Sequence, residues 1–133
     1  MIVQMTGDHI EQVLADITPQ HLAEWSKTHL LGDQDSFFDL LQYELMRRRS
    51  PHRYACLVDG EAVVVGGVDL LCAGVGQTWA VASNNVGAGI HEYTRFSRKL
   101  FSKFFESGLC RIQSITMADD YETHRWYRLM GLT

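Results

Sequence analysis

Little in this chain could support covalent cross-linking or a metal-built core. Only three of its 133 residues are cysteine: Cys56, Cys72 and Cys110. They lie far apart, their number is odd, and no C-x-x-C is present, so neither a disulfide framework nor a zinc site is expected, and a reducing cytoplasm fits. The six histidines are dispersed, with no H-E-x-x-H, and no metal is expected from their spacing. A G-x-S-x-G nucleophile elbow is also missing, which removes the common serine-hydrolase pattern. No apolar run approaches the roughly 20 residues that span a bilayer. The opening "MIVQMTGDH" has neither the basic start nor the apolar middle of a signal peptide. Surplus positive charge is lacking too: the net charge is -4. That argues against a general nucleic-acid or anionic-membrane binder.

What is present fits one soluble globular domain spanning residues 1–133. Apolar residues make up 46% and charged residues 21%, enough for a modest core under a solvated surface. No internal repeat, linker or low-complexity tract divides the chain.

"MIVQMT" reads as a first strand. "GDHIEQVLADITPQHLAEWSKTH" follows as helix, with Asp8 as cap and Ile10, Val13, Leu14 and Ile17 at helical spacing. Pro19 breaks or restarts it, and Thr18-Pro19 suits a cap followed by a first helical residue. "DSFFDLLQYELMRRR" is a further helix, its acidic start and basic end matching the helix dipole. Arg47, Arg48 and Arg49 are better read as that solvated end than as a nucleic-acid patch, although a small regulatory module binding through them is a third functional reading.

The pattern then changes. "RYACLVDG" and "EAVVVGGVDL" are β-rich runs joined by Asp59-Gly60, a strong hairpin signal. "AGVG" is a turn and "QTWAVAS" another strand. "IHEYTRFSRKLFSKFF" is an amphipathic helix with Ile90, Tyr93, Ser97, Leu100, Phe101 and Phe104 on one face. "LCRIQSITMA" is a strand and "DYETHRWYRLMG" a final helix, with Asp119 and Asp120 as candidate caps. The order predicts a mixed α/β (α+β) fold, a mostly antiparallel sheet flanked by helices.

The strand "WAVAS", the turn Val86-Gly87-Ala88-Gly89 and the helix that follows make a place for an anion. Unpaired amides and the positive helix end favour a phosphate there, and glycine lets it approach. This order, with "DYETHRWYRLMGL", resembles the GNAT superfamily of acyl-CoA-dependent N-acetyltransferases. The resemblance covers nearly the whole chain as an order of elements and two stretches as residues. It implies that acetyl-CoA binds across Val81, Val86, Gly87, Ala88, Gly89, Ile90 and His91. It also implies that Tyr127, four residues before Gly131, protonates the departing thiolate. Two departures stand out: no Arg or Gln lies in the loop, and His91 occupies the place of a small residue. Asn84 and Asn85 are uncharged donors nearby.

A carboxylate to deprotonate the amine is less evident. Asp69 follows "VVVGGV" and is the candidate; Glu61, in the hairpin, is expected to be exposed. Cys72 and Cys110, in apolar surroundings, are expected to be inert buried thiols. "THRWYRLMGL" also resembles small GNAT-like proteins of tailed bacteriophages, some of them virion or assembly components. That likeness implies an alternative: a catalytically inactive structural protein with phage or self chains as partners, in the host cytoplasm or the virion. GNAT domains usually continue past the last helix with two more strands, which this chain lacks. An open sheet edge, and with it a homo-oligomer, is therefore expected.

Overall fold

The computed structural model describes residues 1–19, 21–23, 39, 42–43, 52–114 and 120–132. The helix expected over 35–49 lies outside them except for Asp39, Gln42 and Tyr43, which are helical. Arg47, Arg48, Arg49 and Asp119 also lie outside the described residues.

Five strands form one sheet in the order β1-β2-β3-β4-β5. They are β1 (Ile2–Gln4), β2 (Arg53–Val58), β3 (Glu61–Cys72), β4 (Val75–Ala82) and β5 (Arg111–Gln113). All neighbours run antiparallel except β4 and β5. Asp59 and Gly60 both take positive φ, at 52° and 83°, so the expected β2–β3 hairpin closes through a primed turn that matches strand twist. The next turn is tighter than "AGVG" suggested: Val75 and Gly76 already belong to β4, leaving Ala73 and Gly74 to make it.

Helices described over their whole length are α1 (Gly7–Ala15), α2 (Ile90–Glu106) and α3 (Tyr121–Met130). Thr6, not Asp8, caps α1. Its hydroxyl accepts from the His9 amide while the His9 side chain accepts from the Thr6 amide. Histidine here takes the part that Glu or Gln plays in the usual reciprocal box. Asp8 sits in the first turn, where it complements the dipole. Asp120 caps α3 as expected, its carboxylate accepting from both the amide and the hydroxyl of Thr123.

The sheet separates two cores, because successive side chains of a strand point to opposite faces. On one face Ile10, Val13 and Leu14 of α1 bury against Ala55, Val65, Trp79 and Val81. On the other, Val64, Val68, Ala80 and Ala82 lie under Tyr93 and Phe101 of α2 and Trp126, Tyr127 and Met130 of α3. Gly66 is the notch that seats α2. A Cβ there would overlap the Tyr93 hydroxyl. The two helices of this face are tied together where Trp126 Nε1 donates to Thr94 Oγ1 at 2.8 Å. Among the described residues no helix is long and apolar enough to cross a membrane.

Candidate active site

The parallel pairing of β4 with β5 covers Val75–Gln77 against Arg111–Gln113. Odd-numbered β4 residues turn their peptide groups toward β3, as the Ser83 amide donating to Val63 O shows. By alternation, the peptide groups of Thr78, Ala80 and Ala82 face the side of β5 and α3. Along this edge Ala80 packs under α3, and Ala82, at its end, borders an opening.

At the far end of β4 the segment after α1 crosses over. Thr18 N–H donates to Ala82 O at 3.0 Å, and Ala82 N–H donates to His21 Nδ1 at 2.9 Å. Asp16 takes the backbone and side-chain N–H groups of Asn84, so Asn84 is engaged within the protein and is not a spare donor. His21 is buried, and burial lowers its pKa from the usual value, opposed in part by the nearby Asp120 carboxylate. With Nδ1 accepting from a backbone amide, the neutral ring carries its proton on Nε2. His21, Thr18 and Ala82 line a cavity of about 340 Å³ together with Val86, Ile90, Asp120, Glu122, Thr123, Arg125, Trp126 and Leu129. It lies between the end of β4, the head of α2 and the first turns of α3.

The turn before α2 is a short 3-10 segment, Val86–Ala88. Three of its amides are taken internally: Val86 N–H by Ser83 O, Ala88 N–H by Asn85 O and Gly89 N–H by Val86 O. Within the described residues no hydrogen bond takes up the amides of Gly87, Ile90 or His91. Those of Ile90 and His91 belong to the first turn of a 17-residue helix, where amides point outward along a positive dipole end. His91 therefore sits in the helix rather than the loop, and it is exposed. The two loop glycines differ. A Cβ at Gly87 would meet nothing within 4 Å, whereas one at Gly89 would meet Cys56 Sγ at 2.9 Å and Val63 Cγ2 at 3.0 Å.

Beneath this head the charges are paired. The ammonium of Met1 pairs with Glu92 and donates to Leu57 O at 2.9 Å. That partnership raises the ammonium pKa and lowers the Glu92 pKa. Cys56 lies buried below, its thiol pushed up chiefly by desolvation.

Tyr127 opens elsewhere. It is buried and lines a larger groove, about 910 Å³, with Gln113 and Ser114 at the end of β5 and Arg98, Arg111 and Arg128 around it. Its ring stacks on Trp126 at 6.0 Å with an interplanar angle of 8°, and Trp126 lines the first cavity. The two openings thus flank one aromatic pair. The Tyr93 phenol lies close by, its pKa raised first by burial and then by Tyr127.

Of the residues expected to meet the cofactor, Val86 and Ile90 line the first cavity. Gly87, Ala88 and His91 are exposed above it, while Gly89 is buried against the sheet. Val81 is fully buried in the core under α1, and its peptide groups pair with β3. Asp69 is half-buried on β3 opposite Gln77, and it lines neither opening. Glu61 is exposed. Cys72 and Cys110 are exposed rather than buried, because both stand at strand ends where the apolar run has already left the core. His21 escaped the sequence reading: its contact with Ala82 spans 61 residues. The one local signal was the Thr18 cap, whose hydroxyl accepts from His21 N–H at 3.3 Å.

No protein-family model and no curated protein matches the sequence. Solved structures match in shape. The chain is similar to the aminoglycoside antibiotic 6'-N-acetyltransferase AAC(6')-IG from Acinetobacter haemolyticus, with a TM-score of 0.63, 13% identity, and coverage of 100% of this chain and 90% of that one. It is similar to AAC(6')-Ib in complex with paromomycin and acetyl-CoA, at TM-score 0.61 and 15% identity, over 98% of this chain and 80% of that one. A transcriptional regulator from Bacillus halodurans also aligns, at TM-score 0.63 and 14% identity, over 100% of this chain and 92% of that one. At such identities the likeness concerns shape alone, and the shape is plain: a five-stranded, mostly antiparallel sheet flanked by helices, with the GNAT fold of these acetyltransferases.

Proposed function

We propose that the protein is an acyl-CoA-dependent N-acyltransferase with acetyl-CoA as donor. The observation that supports this most directly is the open head of α2, whose Ile90 and His91 amides stand above a cavity between β4 and α3. The donor set fits the cofactor in kind. The amides of Gly87, Ile90 and His91 suit a diphosphate; at the cavity, exposed Arg125 supplies a cation, while Asp120 is engaged by Thr123 and Glu122 is the carboxylate a phosphate would have to avoid. Bound there, acetyl-CoA would supply an activated acyl thioester.

The chain's own residues would do the rest. His21, held by Ala82 N–H, directs an Nε2–H donor along the cleft wall. Trp126 closes the floor. Tyr127, at the level where the β4–β5 pairing ends, would give its phenolic proton to a developing thiolate, a role worth about 10²–10⁴ in rate for a placed general acid. Asp69 remains the candidate base for the incoming amine, although it lies on the α1 face of the sheet with Val65 and lines neither opening.

A second reading is a catalytically inactive protein of the same fold, with a structural or assembly role such as phage proteins have. It is favoured by one observation: the turn donates the amides of Val86, Ala88 and Gly89 to its own carbonyls and has no cation in the loop itself. Calorimetric titration of the full chain with acetyl-CoA separates the two. Micromolar to sub-millimolar binding, with release of free thiol when amines are added, supports the enzyme. No binding at millimolar acetyl-CoA would sink it. Tyr127→Phe is expected to lower turnover about 10²-fold or more while leaving cofactor affinity in place.

A further inference from the structure

We propose that the groove beside Tyr127 receives the negatively charged end of the acceptor, so that the acceptor is an amine that also carries a carboxylate or a phosphate. The assignment of this ligand as acceptor rests on the acyltransferase reading; the groove's preference for anions does not.

Three arginines reach the groove from three elements: Arg98 from α2, Arg111 from β5 and Arg128 from α3. They are three of the chain's twelve lysines and arginines, in a protein whose net charge is -4. No Asp or Glu occurs among the described residues lining the groove, and none of the three arginines is ion-paired within the described residues. Helix-dipole complementation accounts for Arg128, which stands in the last turn of α3. It does not account for Arg98 in mid-helix or Arg111 on a strand. Each guanidinium offers a planar fork of donors that suits a carboxylate or phosphate, and it keeps its charge at any working pH. Several cations of one sign around a concave wall concentrate the field on a single anion.

The groove also has what a reaction site needs. Tyr127 forms part of its wall, with Ser114 at the end of β5 and the imidazole of His124 nearby. If the thioester reaches Tyr127, this groove is open space from which an amine can approach. A polyamine would meet like charge on three sides and be rejected. The groove therefore predicts an acceptor class unlike that of the aminoglycoside-modifying structures whose fold the chain shares.

The test is direct binding. The full chain is titrated at low salt with O-phosphoethanolamine, L-glutamate and spermidine, and separately with acetyl-CoA. The two acidic amines are expected to bind and spermidine not to. Arg98→Gln and Arg111→Gln should each weaken the acidic probes about fivefold, and the double variant about 25-fold, with acetyl-CoA affinity unchanged. Spermidine binding as tightly as the acids would overturn the proposal, as would acidic-probe affinity untouched by the arginine variants. Arginine-dependent acid binding without any acetyl-CoA binding would remove the acyltransferase reading and leave the ligand class standing.

Discussion

Gly87 and Gly89 lie two residues apart in the same turn, and the fold uses them in opposite ways. Gly89 faces inward. It lets the head of α2 come down onto Cys56, Val58 and Val63, and there is no room for one more carbon. Gly87 faces outward into open space with no left-handed φ to require it. A repeated glycine therefore need not mean a repeated role: one packs the helix against the sheet, and the other leaves the approach to the helix head unobstructed.

The sharpest way to break this contrast is Gly89→Ala. Overpacking of that kind costs about 1–3 kcal/mol, read as a lower urea midpoint and a lower Tm. Adding Cys56→Ala removes the closest obstructing atom, and about 1 kcal/mol of that loss should return in a double-mutant cycle, since the two sites are in contact. If the cycle gives no coupling between the two substitutions, the clash lies elsewhere.

The strap behind the turn gives a smaller, pH-dependent effect. His21 has a folded pKa below its unfolded value, so the unfolded chain binds the extra proton. Stability is full above the unfolded pKa of about 6.5 and falls as pH drops toward the folded pKa, by at most about 1.4 kcal/mol per pH unit. His21→Gln, which keeps an acceptor for Ala82 N–H but does not titrate, should flatten this part of the profile between pH 6.5 and 5. An unchanged profile would mean the imidazole is not held neutral.

Gly87→Ala sits at the small end for folding. It should change stability by less than about 0.5 kcal/mol, or raise it slightly by restricting the unfolded chain. Its effect is expected on acetyl-CoA affinity instead. Unaltered affinity would place the diphosphate away from the outer half of the turn.

How much of this was legible in the sequence depended on the range of the interaction. Asp59-Gly60, the Asp120 cap and the apolar face of α2 are local patterns, written in neighbouring residues, and the structure has them. The α1 cap went to Thr6 because His9 could answer it three residues later, a pairing that a Glu/Gln rule does not anticipate. The site was less legible. Whether a glycine is squeezed or free depends on Cys56 and Val63, strands away. His21 acquires its meaning from an amide 61 positions on. Cys72 and Cys110 looked buried from their apolar neighbours, yet each stands just where its strand runs out of cover. Arg98, Arg111 and Arg128 carry no shared spacing, and only the fold brings them to one wall.

The notch at Gly66 has a bearing on motion. With the Tyr93 hydroxyl seated in it and Gly89 wedged against β2 and β3, α2 is anchored to the sheet at two levels and is not free to slide. Trp126 Nε1 of α3 also reaches Thr94 Oγ1 of α2. If acetyl-CoA binds as proposed, a helix head pinned at two levels would offer its amides without first having to reorganise.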